Sequence, residues 1–223
     1  MRQTMNIHPT PSVIIFDLDG TLLDSMPFWD GLALSALTQH GLEPDEELLR
    51  RLPEMTMREA ADYQADHYPV LGTADDIFAA WGKRAREAFQ NKLPYKPGAL
   101  ELLADLKSRG KKIAIATMSE RAIVKLALQR QNVGSMIDTL VTFEDVGVGK
   151  HEPAIWLEIT RRFNVAPSEC IVIEDAYFAA RTAKAAGFRV IGVNDAANAP
   201  HATHLQEVSD LYVDSLEELI GQL

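Results

Sequence analysis

Short runs of apolar residues alternate, over most of the chain, with segments whose apolar positions recur at helical spacing. The apolar runs predict strands, at residues 13–16, 113–117, 140–142, 170–174, 190–193 and 211–213. The segments between them predict helices, at residues 98–108, 121–131, 153–163 and 178–186, with a last helix from Ser215. Strands that alternate with helices indicate an α/β fold, in which helices cover both faces of a doubly wound parallel sheet.

The segment from residue 27 to residue 93 breaks this alternation, because helical periodicity dominates it and no buried strand is evident. Prolines and glycines divide it into four predicted helices, at residues 28–40, 44–52, 56–67 and 73–90. The sequence therefore predicts two domains. Residues 1–26 and 94–223 form an α/β core domain, and residues 27–93 form an all-helical cap domain inserted into it. Linkers near Pro27 and Pro94 would be the hinges of a lid over the strand ends.

Composition narrows the possible partners. The chain has 223 residues, of which 47% are hydrophobic and 24% charged, as in ordinary globular proteins. A formal charge of -10 and the lack of a basic stripe argue against nucleic-acid binding. No apolar run approaches the roughly 20 residues of a membrane span, and no hydrophobic signal core opens the chain. We expect a cytoplasmic protein, a monomer or small homo-oligomer.

Two further features carry structural expectations only. The single cysteine, Cys170, excludes an internal disulfide and lies in an apolar run, so we expect it to be packed in the core. Residues 1–12 show no structural signal, which predicts a loosely held extension or an alternative start at Met5.

The first strand ends in two carboxylates, Asp17 and Asp19, which are followed by Gly20. A calcium-binding EF-hand loop does not fit, because its sixth and twelfth positions, which need glycine and glutamate, hold Leu22 and Phe28. A simple surface turn remains as an alternative for this stretch alone. The end of a strand in an open α/β sheet is where ligands bind.

Other predicted strand ends carry polar residues that could meet these two aspartates at one edge of a parallel sheet. They are Thr117, Lys150, Glu174 and Asp175. Clustered carboxylates repel one another unless a cation lies between them, and oxygen ligands without histidine or cysteine favour Mg²⁺. Lys150 could then neutralise a bound phosphoryl group, while Thr117 and backbone N–H groups bind its oxygens.

Such a site could transfer a phosphoryl group by way of a covalent bond to one of its own side chains. The Asp17 carboxylate could attack phosphorus in line and form an aspartyl phosphate. Asp19 could protonate the leaving oxygen and then deprotonate the hydrolytic water.

These residues resemble the four motifs of the haloacid dehalogenase-like hydrolase superfamily, namely Asp17-x-Asp19-Gly20-Thr21, Thr117, Lys150 and Glu174-Asp175. The layout is similar to the β-phosphoglucomutase-like branch, which has a helical cap. The resemblance implies a Rossmann-like core and a Mg²⁺ ion held by Asp17, the backbone carbonyl of Asp19, and Asp175, with Glu174 acting through water. It also implies Asp17 as nucleophile, Asp19 as acid/base, and a phosphate site at Thr117, Met118 and Lys150.

Two stretches depart from the pattern of the superfamily. Lys150 is followed by His151-Glu152-Pro153-Ala154 where relatives commonly have Pro-x-Pro-Asp, and Asp175 is followed by Ala176 where serine is common. These changes leave open the orientation of Lys150 and whether His151 contributes to the site.

The cap sequence bears on which reaction follows. β-Phosphoglucomutases carry a gating histidine in the first cap helix, and Trp29 occupies that position here. Residues 25–30 instead resemble sugar phosphatases of the branch. Residues 55–59 resemble a substrate-specificity loop, which makes Arg58 a candidate contact for a second polar or anionic group. Trp29 is a candidate for the cavity entrance, with core packing as its alternative.

The sequence thus predicts a Mg²⁺-dependent phosphatase for a small phosphorylated metabolite such as a sugar phosphate. The alternatives are an intramolecular phosphotransferase of the mutase type and a non-catalytic binding protein on the same fold.

Overall fold

The structure is a computed structural model that describes residues 10–223. Of the predicted N-terminal extension, residues 1–9, including Met5, lie outside the described residues. Its last two residues are held against the sheet: the Ser12 N–H donates to the Glu169 carbonyl at 2.8 Å, and Lys111 Nζ donates to the Pro11 carbonyl at 3.0 Å.

Six parallel strands form a single sheet within residues 10–223, in the spatial order β3-β2-β1-β4-β5-β6. The strands are β1 Val13–Phe16, β2 Lys112–Thr117, β3 Thr139–Thr142, β4 Cys170–Glu174, β5 Arg189–Val193 and β6 Leu211–Val213. β1 lies between β2 and β4, with Phe16 opposite Ile115 on one side and Ile173 on the other. The carboxyl ends of these three strands therefore lie side by side.

Four helices follow β1 before the chain returns to the α/β part, as the sequence predicts. They are α1 Met26–Gln39, α2 Glu46–Arg51, α3 Met57–His67 and α4 Ala74–Asn91. Capping boxes fix where α3 and α4 begin: Thr56 and Glu59 exchange hydrogen bonds in one, Thr73 and Asp76 in the other. We call the segment 27–93 the cap; its division from the core as a separate domain stays a prediction.

Each of the remaining α-helices precedes one of the strands β2 to β6 along the chain. They are α5 Ala99–Ser108, α6 Arg121–Gln129, α7 Phe143–Val146, α8 Ala154–Phe163, α9 Tyr177–Ala185 and α10 Ala202–Val208. Because side chains alternate across a strand, β1 packs Ile14 and Phe16 into one buried cluster with α5 and α6, and Val13 and Ile15 into another with α8 and α9. The predicted class, a Rossmann-like α/β fold with a helical insertion, is confirmed.

A few elements differ from the prediction. The helix expected to reach residue 131 ends at Gln129 because Arg130 adopts an extended conformation with ψ 142°, and a 3₁₀ stretch, Arg130–Met136, replaces its last turn. The helix expected from Ser215 is a 3₁₀ turn, Leu216–Leu219. Helix α7 was not predicted, since four residues are too few to show a period. Cys170 is buried, as expected.

The two segments that join the cap to the core run side by side. The Asp24 N–H donates to the Pro94 carbonyl at 3.0 Å, and Leu23 and Tyr95 form an antiparallel bridge. The cap therefore starts and ends beside the turn that follows β1.

Candidate active site

The turn after β1 brings Asp17 and Asp19 to the carboxyl edge of the sheet. Asp17 is buried, and its N–H donates to the Ile173 carbonyl of β4 at 2.9 Å, which continues the sheet by one residue. Gly20 has φ +89°, and a Cβ atom there would lie 2.3 Å from Asp175 Oδ2. Only glycine therefore permits this turn to pass so close to Asp175.

A buried charge cluster lies where β1, β4 and the loop after β3 meet. Lys150 Nζ donates to Asp17 Oδ1 and, at 2.7 Å, to Glu174 Oε2, and Lys150 is only 3% exposed. Carboxylate oxygens of Asp17, Glu174 and Asp175 lie within 4.8 Å of one another. One ammonium group thus pairs with two carboxyl groups, and a third carboxyl group lies beside them.

Burial and mutual repulsion perturb this cluster. Burial raises the pKa of Asp17 well above its usual range; Lys150 opposes this effect, and Glu174 and Asp175 add to it. Burial, with the adjacent Glu174 carboxylate, raises the pKa of Asp175 to about 8. Burial alone would lower the pKa of Lys150, but Asp17 and Glu174 raise it above its usual value. Lys150 is therefore charged at neutral pH, while Asp17 and Asp175 hold their protons more strongly than ordinary aspartates do.

This cluster fits a hard divalent cation. Its donors are all carboxylate oxygens, without histidine or cysteine, and are close enough to share one ion. Burial is the main cause of the raised pKa of Asp17 and Asp175, and a cation there would relieve the repulsion that adds to it. The side chains of the predicted ligand residues Asp17, Glu174 and Asp175 thus lie close together. The Asp19 side chain instead accepts hydrogen bonds from other residues.

Asp19 accepts hydrogen bonds from three uncharged donors. Ser25 Oγ and Trp29 Nε1 donate to its Oδ1 at 2.6 and 2.8 Å, and Ser119 Oγ donates to its Oδ2 at 2.7 Å. The donors come from the residue that precedes α1, from α1 and from the loop after β2. Trp29 also packs against Phe28 and Phe89, with ring centroids 5.3 and 5.6 Å away. Trp29 therefore both contacts a residue of the site and packs against other aromatic side chains, so the two interpretations of this residue hold together.

Thr117 ends β2 beside this pair of aspartates and is buried. Its Oγ1 accepts a hydrogen bond from the Ser119 N–H at 3.0 Å, which shapes the loop that carries Met118 and Ser119. Backbone and hydroxyl donors of this loop thus lie close to the acid/base candidate.

A cavity of about 160 Å³ opens between the strand ends and the cap. Every residue predicted for the site lines it: Asp17, Asp19, Trp29, Arg58, Thr117, Met118, Lys150, Glu174 and Asp175. Arg58 contributes to the wall, but its guanidinium group pairs with Asp75 at 2.6 Å and with Asp62 at 3.1 Å. The roles of these residues stay predictions; what the structure shows is that they share one cavity.

Sequence reasoning missed several contacts of the carboxylates. Thr21 Oγ1 and Asn198 Nδ2 donate to the two oxygens of Asp175 at 2.8 and 2.6 Å. Thr21 is in the quoted motif and Ser119 follows a strand end, so both could have been considered. Asn198 lies in a short 3₁₀ helix after β5, Ala196–His201, where no spacing signals a site.

His151 lies at the contact between core and cap. Its ring is 4.9 Å from that of Phe178, and its Nε2 is 3.5 Å from Glu54 Oε2 in the cap. It is therefore a neighbour of the site rather than one of the residues that line the cavity.

The chain belongs to the haloacid dehalogenase-like hydrolase family, whose model matches residues 14–193. Hexitol phosphatase A of Escherichia coli is 32% identical over 209 residues, which cover 92% of this chain and 91% of the relative. The phosphorylated carbohydrates phosphatase of Thermotoga maritima is 28% identical over 211 residues, which cover 94% and 97%. These relatives confirm the predicted enzyme class, a haloacid dehalogenase-like phosphatase.

Solved structures confirm the fold. A variant of CbbY from Rhodobacter sphaeroides, crystallised with xylulose-1,5-bisphosphate, superposes with a TM-score of 0.77 at 22% identity, covering 94% of this chain and 96% of that one. At this identity the likeness concerns the fold alone. None of the helices within residues 10–223 has the length and apolar character that a membrane crossing requires.

Proposed function

We propose that the protein is a Mg²⁺-dependent phosphomonoesterase that hydrolyses a small phosphorylated metabolite through a phosphoryl group carried on Asp17. The observation that supports this most is the pairing of a buried carboxylate, Asp17, with a buried ammonium group, Lys150, on the wall of a cavity that Asp19 also lines. A nucleophile, a cation for phosphoryl oxygens and a proton carrier are thus within reach of one ligand.

The first chemical step forms a bond between an Asp17 carboxylate oxygen and phosphorus and breaks the bond from phosphorus to the ester oxygen. Protonated Asp19 donates its proton to that oxygen, so the product leaves as a neutral alcohol. Lys150 and Thr117 bind the non-bridging oxygens, whose charge develops in the transition state.

The second step returns the enzyme to its starting state. Asp19, now a carboxylate, removes a proton from water while the water oxygen attacks phosphorus and the Asp17–phosphorus bond breaks. Inorganic phosphate leaves, and Asp19 is protonated again. The hydrogen bonds from Ser25, Trp29 and Ser119 hold Asp19 in one place for both transfers.

Asp17, Glu174 and Asp175, with the backbone carbonyl of Asp19, would hold the Mg²⁺ ion. When bound, the ion supplies positive charge beside the carboxylates and the phosphoryl oxygens. Thr21 and Asn198 keep Asp175 in position for this role. The cap is joined to the core by two adjacent segments of the chain. It would close over the substrate and exclude water from the first step.

Phosphorylated sugars are the first substrate class to consider, since relatives of this chain are named for phosphorylated carbohydrates and for hexitols. Trp29 stands where mutases of the branch would carry a histidine, and its side chain is held by Asp19 and two phenylalanines. This arrangement favours transfer of the phosphoryl group to water.

The test is phosphate release from a panel of sugar phosphates and other phosphometabolites, with and without Mg²⁺. We expect release that needs the ion, and a loss of about 10³-fold or more in Asp17→Asn, because that variant lacks the nucleophile. Asp24→Asn changes an exposed aspartate of the same turn and serves as the matched control. Release by Asp17→Asn within tenfold of the unchanged protein would contradict the proposal. Conversion of β-glucose 1-phosphate to glucose 6-phosphate with little free phosphate would instead identify a mutase.

A further inference from the structure

The cavity has two chemically different ends. Its core end carries the charged and hydroxyl groups already described. Its cap end is built mainly from apolar side chains, among them Leu32, Leu52, Met55, Met57, Trp81 and, from the facing side of the core, Phe178. The part of a substrate that lies beyond the phosphoryl group therefore meets apolar surface.

The polar side chains that the cap adds to the cavity wall are Asp30, Thr56 and Arg58. Two of them are already engaged. Thr56 Oγ1 donates to Glu59 at 2.8 Å and accepts from its N–H at 3.2 Å. Arg58 has two carboxylate partners.

The Arg58 guanidinium group donates to Asp75 at 2.6 Å and pairs with Asp62 at 3.1 Å, and it lies 5.6 Å from the centre of the Phe78 ring. Its charge is thus neutralised within the cap, so it offers little to a second phosphate. Asp30, a carboxylate, would repel one.

These contacts disfavour two kinds of leaving group. A fully hydroxylated chain or ring needs a hydrogen-bond partner for each hydroxyl that loses water, and the cap end supplies few. A second anionic group finds no free cation among the cap residues that line the cavity. A ring with an apolar face, in contrast, gains from leaving water beside methionine, leucine and tryptophan side chains.

The size of the cavity limits the leaving group. The whole cavity, including the charged end that would receive the phosphoryl group, has a volume of about 160 Å³. An engineered apolar cavity of about 150 Å³ holds one benzene ring, so the leaving group is no larger than one small ring.

We propose that the alcohol released by this enzyme is an uncharged one that turns an apolar face, aromatic or deoxygenated, toward the cap. This inference rests on the proposed function and narrows its substrate class: among phosphorylated sugars it favours deoxygenated ones, and densely hydroxylated sugar phosphates and bisphosphates are the poorer substrates.

Three phosphomonoesters test the proposal as a matched set, because each places a six-membered ring on a CH₂–O–phosphate group. They are cyclohexylmethyl phosphate, benzyl phosphate and glucose 6-phosphate. We expect kcat/KM to be about tenfold or more higher for the first two, mostly through a lower KM, since hydrophobic pockets discriminate on this scale. Glucose 1,6-bisphosphate should be no better a substrate than glucose 6-phosphate.

A variant locates the preference in the cap. Met55→Gln makes the apolar wall more polar and should reduce the ratio of kcat/KM for cyclohexylmethyl phosphate over glucose 6-phosphate by about threefold or more. Leu49→Gln, at a residue of α2 that is 49% exposed and does not line the cavity, is the control and should leave the ratio unchanged. Thermal unfolding of both variants shows whether they fold.

The outcomes separate this inference from the function on which it rests. A kcat/KM for glucose 6-phosphate equal to or above those of the two apolar esters would overturn the inference and leave the phosphatase proposal standing. No phosphate release from any of the esters, nor from the wider panel with Mg²⁺, would overturn both.

Discussion

The two aspartates of the turn after β1 differ in their partners, and the difference matches their proposed roles. Asp17 faces the Lys150 ammonium group and two other carboxyl groups, whereas Asp19 accepts hydrogen bonds from uncharged donors. The sequence predicts both positions from the end of one apolar run. It does not predict the Asp19 donors, because Ser25, Trp29 and Ser119 converge from three segments whose relative placement depends on tertiary packing.

The variant Trp29→Phe removes the indole N–H that donates to Asp19 and keeps an aromatic ring against Phe28 and Phe89. We expect kcat to fall about tenfold, a fraction of the 10²–10⁴-fold that general acid–base catalysis contributes, because two of three donors remain. Steady-state kinetics with the best substrate of the panel measure this fall.

A second donor provides the comparison. Ser119→Ala should lower kcat to a similar degree, since Ser119 donates to the other Asp19 oxygen. Ser35→Ala removes a hydroxyl that donates to the Leu32 carbonyl within α1 and should leave kcat unchanged. Unchanged kcat in both Trp29→Phe and Ser119→Ala would show that the donors do not position the acid/base group.

At the scale of elements, patterns that extend over many residues were predictable and short or irregular ones were not. The buried strand β4 follows from an apolar run, and the helix starts at Thr56 and Thr73 follow from the prolines and glycines that divide the cap. The four-residue helix α7 and the segment that presents Asn198 depend on loop geometry, which leaves no periodicity in the sequence. The turn at Gly20 was predictable only in part. The glycine signals a turn, but the close approach of this turn to Asp175 is seen only in the folded structure.

Gly20→Ala tests how closely that turn must approach Asp175. The added Cβ would lie 2.3 Å from Asp175 Oδ2, in a residue with φ +89°. We expect a loss of about 1–3 kcal/mol in the free energy of unfolding from the strained backbone, and a larger loss of activity because Asp175 is displaced. Chemical denaturation and phosphate release measure the two effects.

Gly31→Ala is the matched control, because a Cβ at Gly31, within α1, meets no atom within 4 Å. Alanine in an exposed helical position should raise stability by up to about 1 kcal/mol and leave activity unchanged. If Gly20→Ala behaves like Gly31→Ala, the turn does not constrain the Asp175 carboxylate.

At the scale of the whole molecule, the parallel sheet brings residues more than 150 positions apart to one edge, as the alternation of strands and helices predicts. Asp17 and Asp175 are buried there close to Glu174, and the Lys150 ammonium group pairs with Asp17. The arrangement of the cap over this edge was predicted only in outline, since the packing of short amphipathic helices depends on side-chain fit. The buried carboxylates should make the stability of the protein depend on pH and on Mg²⁺.

The sign of the pH effect follows from Asp175. Burial raises its pKa to about 8 in the folded protein, against about 3.9 in an unfolded chain. Without a metal ion, the folded protein therefore binds more protons than the unfolded chain between these values. The stability contributed by this group is fully present below about pH 4 and is lost as the pH rises through about 8.

Mg²⁺ needs the carboxylates deprotonated, so its stabilising effect should grow over the same range. We expect MgCl₂ at about 10 mM to raise Tm by several degrees more at pH 8 than at pH 5.5. Addition of a chelator should reverse the rise. In Asp175→Asn the rise should be small at both pH values, and an equal rise at both pH values in the unchanged protein would argue against a site at these carboxylates.

The central claim is that the phosphoryl group passes through Asp17, and trapping it there is the most direct measurement. The protein is mixed with a ³²P-labelled substrate and Mg²⁺, quenched in acid during turnover, and digested for peptide mapping. We predict a label on the peptide that contains Asp17, released by hydroxylamine as an acyl phosphate is, and absent from Asp17→Asn. Rapid turnover with no label on that peptide, together with phosphate release by Asp17→Asn at the unchanged rate, would contradict the claim.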